Sequence, residues 1–376
     1  MNLGLHIAAI GGDPGGAEAV APVLAALQAP GVTLHAFAYR QAVEIWRARV
    51  AGVQAVSEAA TVEDCEGMLR ECGAEVLLLS TSSNGIDLEK KFTQAARTLA
   101  VPSVAVLDLW TNYRSRFADA DGELAFLPDR IAIMDERARE EMRGVGIPAE
   151  RLVLTGQPAF DELAAWKRQA DPTSRAAIRN AFGVIADELF VVFGSQPLSA
   201  TYGDDTGRPG HPGFTEDSVA ALMVGALDAI ALETGRRIVL LVRPHPREMA
   251  DAHSRLMSDA IRISVSTAHH RREVMLAADL VVGMNSAFLL EATVLGCRTL
   301  SLQPGLRLHE SLPTNLCGAT PVVSDPAQIQ PALRCALFAD EAAAGPPAFP
   351  QESRAAEKVA ALVRSLANTS PAHHGN

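Results

Sequence analysis

"DLVVGMNSAFLLEATVLG", residues 279 to 296, decides how the fold of this chain is read. Leu280 to Val282 is an unbroken apolar run, as in a strand buried on both faces. Gly283 marks a turn, and two polar residues, Asn285 and Ser286, follow it. The next residues have the composition of a buried helix, apart from Glu291. A buried strand feeding a buried helix through a short polar turn is half of a parallel βαβ unit. Ser286 stands at the expected helix N-cap, where its hydroxyl can satisfy a backbone N–H. The amides beyond it carry partial positive charge and suit a phosphate. Glu291 is the anomaly. A carboxylate there can accept two hydrogen bonds from a ribose diol, or it can simply face solvent.

Outward from this stretch the same alternation recurs. "LGLHIAAI" (3–10), "VTLHAFAY" (32–39), "AEVLLLSTSS" (74–83), "PSVAVLDLW" (102–110), "RIAIMDE" (130–136) and "RLVLTGQP" (151–158) read as strands with helical segments between them. "AWKRQADPTSR" interrupts the pattern with charge, Pro and Ser. The alternation then resumes with "LFVVFGSQP" (189–197), "RRIVLLVRPHP" (236–246), "DAIRISVST" (259–267) and "RTLSLQPG" (298–305). The expectation is an α/β chain of two Rossmann-like doubly wound parallel-sheet domains facing a cleft. Residues 1–168 form the first domain and 169–350 the second. A C-terminal helix over 351–368 crosses back, and 369–376 is a disordered tail. The Gly/Pro-rich stretch 201–214 reads as a mobile loop.

Composition agrees. The chain has 376 residues, enough for two cores, with 48% hydrophobic and 20% charged residues. A net charge of −11 opposes a nucleic-acid partner, whose binding rests on neutralised phosphates. Five cysteines without a CxxC pair fit reduced thiols in a cytoplasmic protein, and neither a disulfide frame nor a zinc site is expected. No apolar run approaches the ~20 residues that span a bilayer. Peripheral membrane contact stays open.

Ligands of doubly wound sheets bind beyond the carboxyl ends of the strands, so the residues just after each strand are the candidates. In the second half, Arg243 and His245 of "LVRPHPRE" can neutralise charge on a departing diphosphate. Ser195 and Gln196 of "FGSQP" can hold phosphate or sugar hydroxyls, alongside Asn285, Ser286 and Glu291. In the first half, "GGDPGG" (11–16) brings Gly15 and Gly16 close to a ligand at the opening of a helix. It matches neither the dinucleotide fingerprint nor the phosphate loop. "LDLWTNYRSRF" (107–117) places Asp108 at a strand end as a candidate general base, with Tyr113, Arg114 and Arg116 behind it. The plainer reading of Asp108 is a cap paired with Arg114. Ser82, Ser83 and Asn84 suit sugar hydroxyls or a helix cap. "GQPAFDEL" (156–163) reads as a hinge, and "HHRR" (269–272) as a solvated face without the spacing of a metal site.

Taken together, "GGDPGGAEAVAPVLAAL", "GQPAFDEL", "VRPHPRE" and "ADLVVGMNSAFLLEATVLGCRTLSL" resemble the glycosyltransferase-B superfamily. Within it they are most similar to bacterial surface-polysaccharide glycosyltransferases and the non-hydrolysing sugar-nucleotide 2-epimerases. The resemblance implies a nucleotide-diphosphate sugar as substrate, held mostly by the second domain, no tightly bound cofactor and no metal. It implies Arg243 and His245 beside the diphosphate, Ser286 at the phosphate-binding helix start and Glu291 near the ribose. The chain departs from the epimerases in the first half. Asp13 stands in a first loop without their Arg, "STSSN" replaces their "GDTT"-like segment, and "VLDLWTNYR" keeps only an acid and a later Arg of their His-Val-Glu-Ala-Gly-Leu-Arg segment. The Ser286–Glu291 spacing is also one shorter. The expectation is therefore transfer of the sugar to a glycan or glycolipid acceptor, with Asp108 activating the acceptor hydroxyl. Epimerisation or hydrolysis on the same fold, and a non-catalytic nucleotide-sugar-binding protein, are the alternatives.

Overall fold

A computed structural model describes residues 4–82, 85–171, 173–249, 251–338 and 354–367. The chain divides into two compact units, Met1–Glu162 with Glu352–Asn376, and Leu163–Gln351. The expected tail at 369–376 lies outside the described residues, as do Ser83 and Asn84.

The first unit holds a seven-stranded sheet in the order β3-β2-β1-β4-β5-β6-β7. Its strands are β1 (Leu5–Gly11), β2 (Val32–Ala38), β3 (Gln54–Ala55), β4 (Val76–Leu79), β5 (Ser103–Val106), β6 (Arg130–Ile133) and β7 (Leu152–Leu154). Every pairing is parallel, which explains the unbroken apolar runs: helices cover both faces. β1 pairs with both β2 and β4, so the strand order reverses at its carboxyl end. That reversal opens the crevice where a ligand can sit. The helix Val62–Glu71, which supplies one crossover, starts at a capping box between Thr61 and Asp64.

The C-terminal helix Ala355–Ala367 belongs to this first unit. Its Val359, Ala360 and Val363 are buried in the same core cluster as Val20, Leu24 and Val76. Each buried Val contributes about 1.5–3 kcal/mol of transfer free energy.

The second unit repeats the plan with six strands in the order β10-β9-β8-β11-β12-β13. They are β8 (Leu189–Gly194), β9 (Ile238–Arg243), β10 (Arg262–Val265), β11 (Leu280–Gly283), β12 (Thr299–Leu302) and β13 (Val322–Val323). All pairs are again parallel, and the order reverses between β8 and β11. The helix Glu216–Thr234 is fixed by a Thr215 capping box at one end and by Gly235, at φ 66°, at the other.

Three readings of the sequence are corrected here. "GQPAFDEL" is the start of the helix Pro158–Gln169 and not a bare hinge. "ADPTSR" leads directly into the helix Ser174–Ala181, so the interruption in the pattern is short. The 201–214 loop is anchored: buried His211 meets the Gly203 carbonyl at 3.1 Å and accepts from the Gly213 amide at 3.0 Å, and Arg307 reaches the Thr206 carbonyl at 2.8 Å.

Candidate functional site

In the first unit the reversal point is roofed by the glycine loop that follows β1. A Cβ on Gly12 would lie 2.0 Å from the Tyr39 ring, one on Gly15 2.5 Å from Asp108 Oδ2, and one on Gly16 2.9 Å from Ser80 Cβ. Gly15 and Gly16 are therefore required by the protein's own strand-end side chains, which leave no room for a Cβ.

Asp108, just beyond β5, accepts from Arg116 Nη1 at 2.6 Å and from Thr81 Oγ1 at 3.2 Å. Arg116 is buried and also reaches Thr81 Oγ1 at 2.7 Å and the Thr111 carbonyl at 3.1 Å. The partner of Asp108 is thus Arg116. Arg114 instead donates to the Gly122 and Val145 carbonyls, each at 2.8 Å, and holds loops. Tyr113 donates to Glu141 at 2.7 Å; burial, then this bond, pushes its hydroxyl well above the usual phenol range. Gln157 Nε2 donates to the Asp108 carbonyl at 2.6 Å and fixes the backbone that carries the carboxylate. Ser82 donates to Glu89 Oε2 at 3.0 Å. Glu89 escaped the sequence reading because it looked like one charge in an amphipathic helix. It is only 5% exposed.

In the second unit Gln196 spans the reversal between β8 and β11. Its amide donates to the Asn285 carbonyl at 2.5 Å and accepts from the Asn285 amide at 2.8 Å. Ser286 caps the helix Ala287–Val294, accepting from the Leu289 amide at 3.2 Å. Asn285 Nδ2 donates to Glu310 at 3.1 Å and to Ser311 at 2.9 Å. Ser195 donates to Glu248 at 2.8 Å, and its hydroxyl lies 2.9 Å from His253 Nε2. Glu248 also accepts from the His245 amide, which ties the "RPHPRE" turn to the end of β8. Burial raises the Glu248 carboxyl, but the bonds from His253, the His245 amide and Ser195 outweigh it and leave it below its usual range. Glu248 was legible inside the quoted motif, three residues after His245. His253 gave no sequence signal.

His245 accepts from the Arg247 amide at Nδ1, 3.1 Å away, which leaves Nε2–H as a donor on the neutral ring. Burial and then Arg247 hold its pKa below the ordinary value, so the ring is neutral at pH 7. Arg243 donates to the carbonyls of Thr267, Ala268 and His269 at 2.9–3.1 Å, clamping the loop after β10. Burial and the nearby Arg271 lower its pKa.

Glu291 receives Arg271 Nε and Arg272 Nε, one on each oxygen, both at 2.6 Å. The anomalous carboxylate inside the apolar helix therefore anchors two arginines. In "HHRR" His269, His270 and Arg271 are exposed, as a solvated face requires, but the Arg272 side chain is 13% exposed and its guanidinium lies 5.8 Å from the Trp166 ring centroid. No group of three or more His, Cys, Asp or Glu that could hold a metal occurs among the described residues, and no described helix is long and apolar enough to cross a membrane.

No family model matches the sequence, and no curated protein matches it either. Solved structures do. The UDP-GlcNAc 2-epimerase of Methanocaldococcus jannaschii superposes with a TM-score of 0.67 at 13% identity, covering 96% of this chain and 100% of the other. The fold is of the glycosyltransferase-B type. The Neisseria meningitidis UDP-GlcNAc 2-epimerase, solved with UDP-GlcNAc, matches this chain with a TM-score of 0.62 at 13% identity, over 97% of it and 100% of the other chain. An Anabaena protein, Alr3699/HepE, solved with UDP and glucose, gives 0.58 at 13% identity, over 96% and 97% of the two chains.

Proposed function

We propose that this chain binds a uridine-diphosphate sugar and acts on the sugar itself, as a 2-epimerase or hydrolase. The observation that carries this reading is the match, over nearly the whole chain, to UDP-GlcNAc 2-epimerases. It favours this alternative over transfer to a glycan or glycolipid.

In this reading the second unit holds the nucleotide. The Ser286 helix start and the Nε2–H of neutral His245 receive the diphosphate. Ser195 and Gln196 line the same edge, and Asn285 sets its backbone. Each oxygen of Glu291 has one arginine and one lone pair left for a ribose hydroxyl. Arg243 shapes the loop after β10. In the first unit Asp108, held by Arg116, serves as the base, with Gly15, Gly16 and Ser82 at the same strand edge. Tyr113 and Arg114 support the segment that carries it.

Incubating the protein with UDP-GlcNAc and other UDP sugars, without any acceptor, tests the reading by NMR of the products. An altered nucleotide sugar, or free sugar with UDP, is the expected result. An unchanged donor that is consumed only when a glycan acceptor is added would restore the transferase reading. A UDP-induced rise in melting temperature without any turnover would mark a binding protein. Glu291→Ala is expected to shrink that rise.

A further inference from the structure

The reversal point of the first unit contains a carboxyl group that the function above does not use. Glu89 lies in the first turn of the helix Leu88–Thr98, which follows β4. Tyr39 Oη donates to it at 2.8 Å, Ser80 Oγ at 2.9 Å and Ser82 Oγ at 3.0 Å. Among the described residues no Lys, Arg or His forms an ion pair with it; the adjacent Lys90 pairs with Asp87 at 2.9 Å. A buried carboxyl surrounded by hydroxyls without a cation keeps its proton more readily than a paired one. Asp108, one strand away, has the opposite environment: a guanidinium at 2.6 Å.

The glycine loop covers both groups. Gly12 rides on Tyr39 and Gly16 on Ser80, two of the three partners of Glu89, and Gly15 rides on Asp108. Two carboxyl groups under one glycine loop, one paired with a cation and one not, form the arrangement that separates an acid from a base.

We propose that Glu89 stores a proton for the site of the first unit and exchanges it with the bound sugar through the Ser82 hydroxyl. The inference rests on the sugar-directed function above. In the protonated state the Ser82 hydroxyl turns from Glu89 towards the sugar and its Oγ accepts from the Glu89 O–H; in the transfer Glu89 gives its proton to Ser82 Oγ while Ser82 releases its own hydroxyl proton to the sugar. Glu89 is left as a carboxylate accepting from Ser82, and the reverse movement restores it. Ser80, 1% exposed, holds the other oxygen in place; Ser82, at 7%, is the more open of the two serines. Glu89 acts through Ser82 and is a positioning and relay residue.

The test uses the full chain as wild type, Glu89→Gln and Ser82→Ala. Infrared spectra of protein with 13C-labelled glutamate are recorded at neutral pH without nucleotide. Turnover of UDP-GlcNAc is followed across pH, and the UDP-induced melting shift is measured beside it. Wild type should show a protonated-carboxyl band that Glu89→Gln lacks. Glu89→Gln should keep the UDP shift, lose about 100-fold or more in turnover, and lose the alkaline limb of the pH profile. Ser82→Ala should keep the band and lose turnover, and it carries the test if Glu89→Gln fails to fold. Absence of the band, or turnover untouched by Glu89→Gln, overturns the proposal. A wild type inert towards every UDP sugar removes the proposed function instead. The band then still decides whether Glu89 holds the proton.

Discussion

Arg116 is the residue on which the first unit's polar edge depends. Its guanidinium bonds Asp108, Thr81 and the Thr111 carbonyl from a buried position. Arg116→Met keeps the volume and removes the charge, leaving Asp108 with no cation. Breaking such a pair costs about 3–5 kcal/mol, and chemical denaturation should show a lower midpoint with an unchanged slope. Glu89 gives a signed pH effect. Burial raises its pKa above the ordinary 4.5, so the folded state binds the proton more tightly than the unfolded chain. Its contribution is complete below the unfolded value and is lost as pH rises through the folded one. Glu89→Gln has no proton to lose. The melting temperature of wild type minus that of Glu89→Gln should therefore fall as pH rises from 4.5 upward.

At the scale of elements, Ser286 links stability to binding. It caps a helix of eight residues at the reversal point of the second sheet. Ser286→Ala should cost about 1 kcal/mol in stability, measured by denaturation, and should reduce the UDP-induced melting shift more than the cap alone explains. The elements were the most legible part of the sequence. Parallel strands are covered on both faces, so "VLLL" and "LVVG" declare themselves by composition alone. The two-residue strands are marginal: Val322–Val323 at least carries two β-branched residues, but exposed Gln54–Ala55 carries no apolar signal. The site was legible as positions but not as partnerships. Strand ends marked the positions of Asp108, Ser195 and Ser286, which lie just beyond β5, β8 and β11. Nothing local could reveal that Asp108 takes Arg116 over Arg114, or that Glu291 takes two arginines from a different helix start. Glu89 and His253 were missed for the same reason. Their partners lie 50 and 58 residues away for Tyr39 and Ser195.

At the scale of the molecule, the helix Ala355–Ala367 packs on the helix Pro14–Leu27 in the first unit's core. Arg364 also donates to the Ala26 carbonyl at 2.8 Å. A chain ending at Phe338 should lose the melting transition of the first unit, or lower it by many degrees, and keep that of the second; calorimetry separates the two. The arrangement also sets an order of events during synthesis. The second unit draws on one continuous stretch and can close as soon as that stretch has emerged from the ribosome. The first unit is translated earlier but must wait for a helix made some 190 residues after Glu162. Until then the apolar flank of the helix Pro14–Leu27 stands open to other chains. Emergence of that late helix, and not of its own sheet, is the moment at which the N-terminal half becomes safe from aggregation.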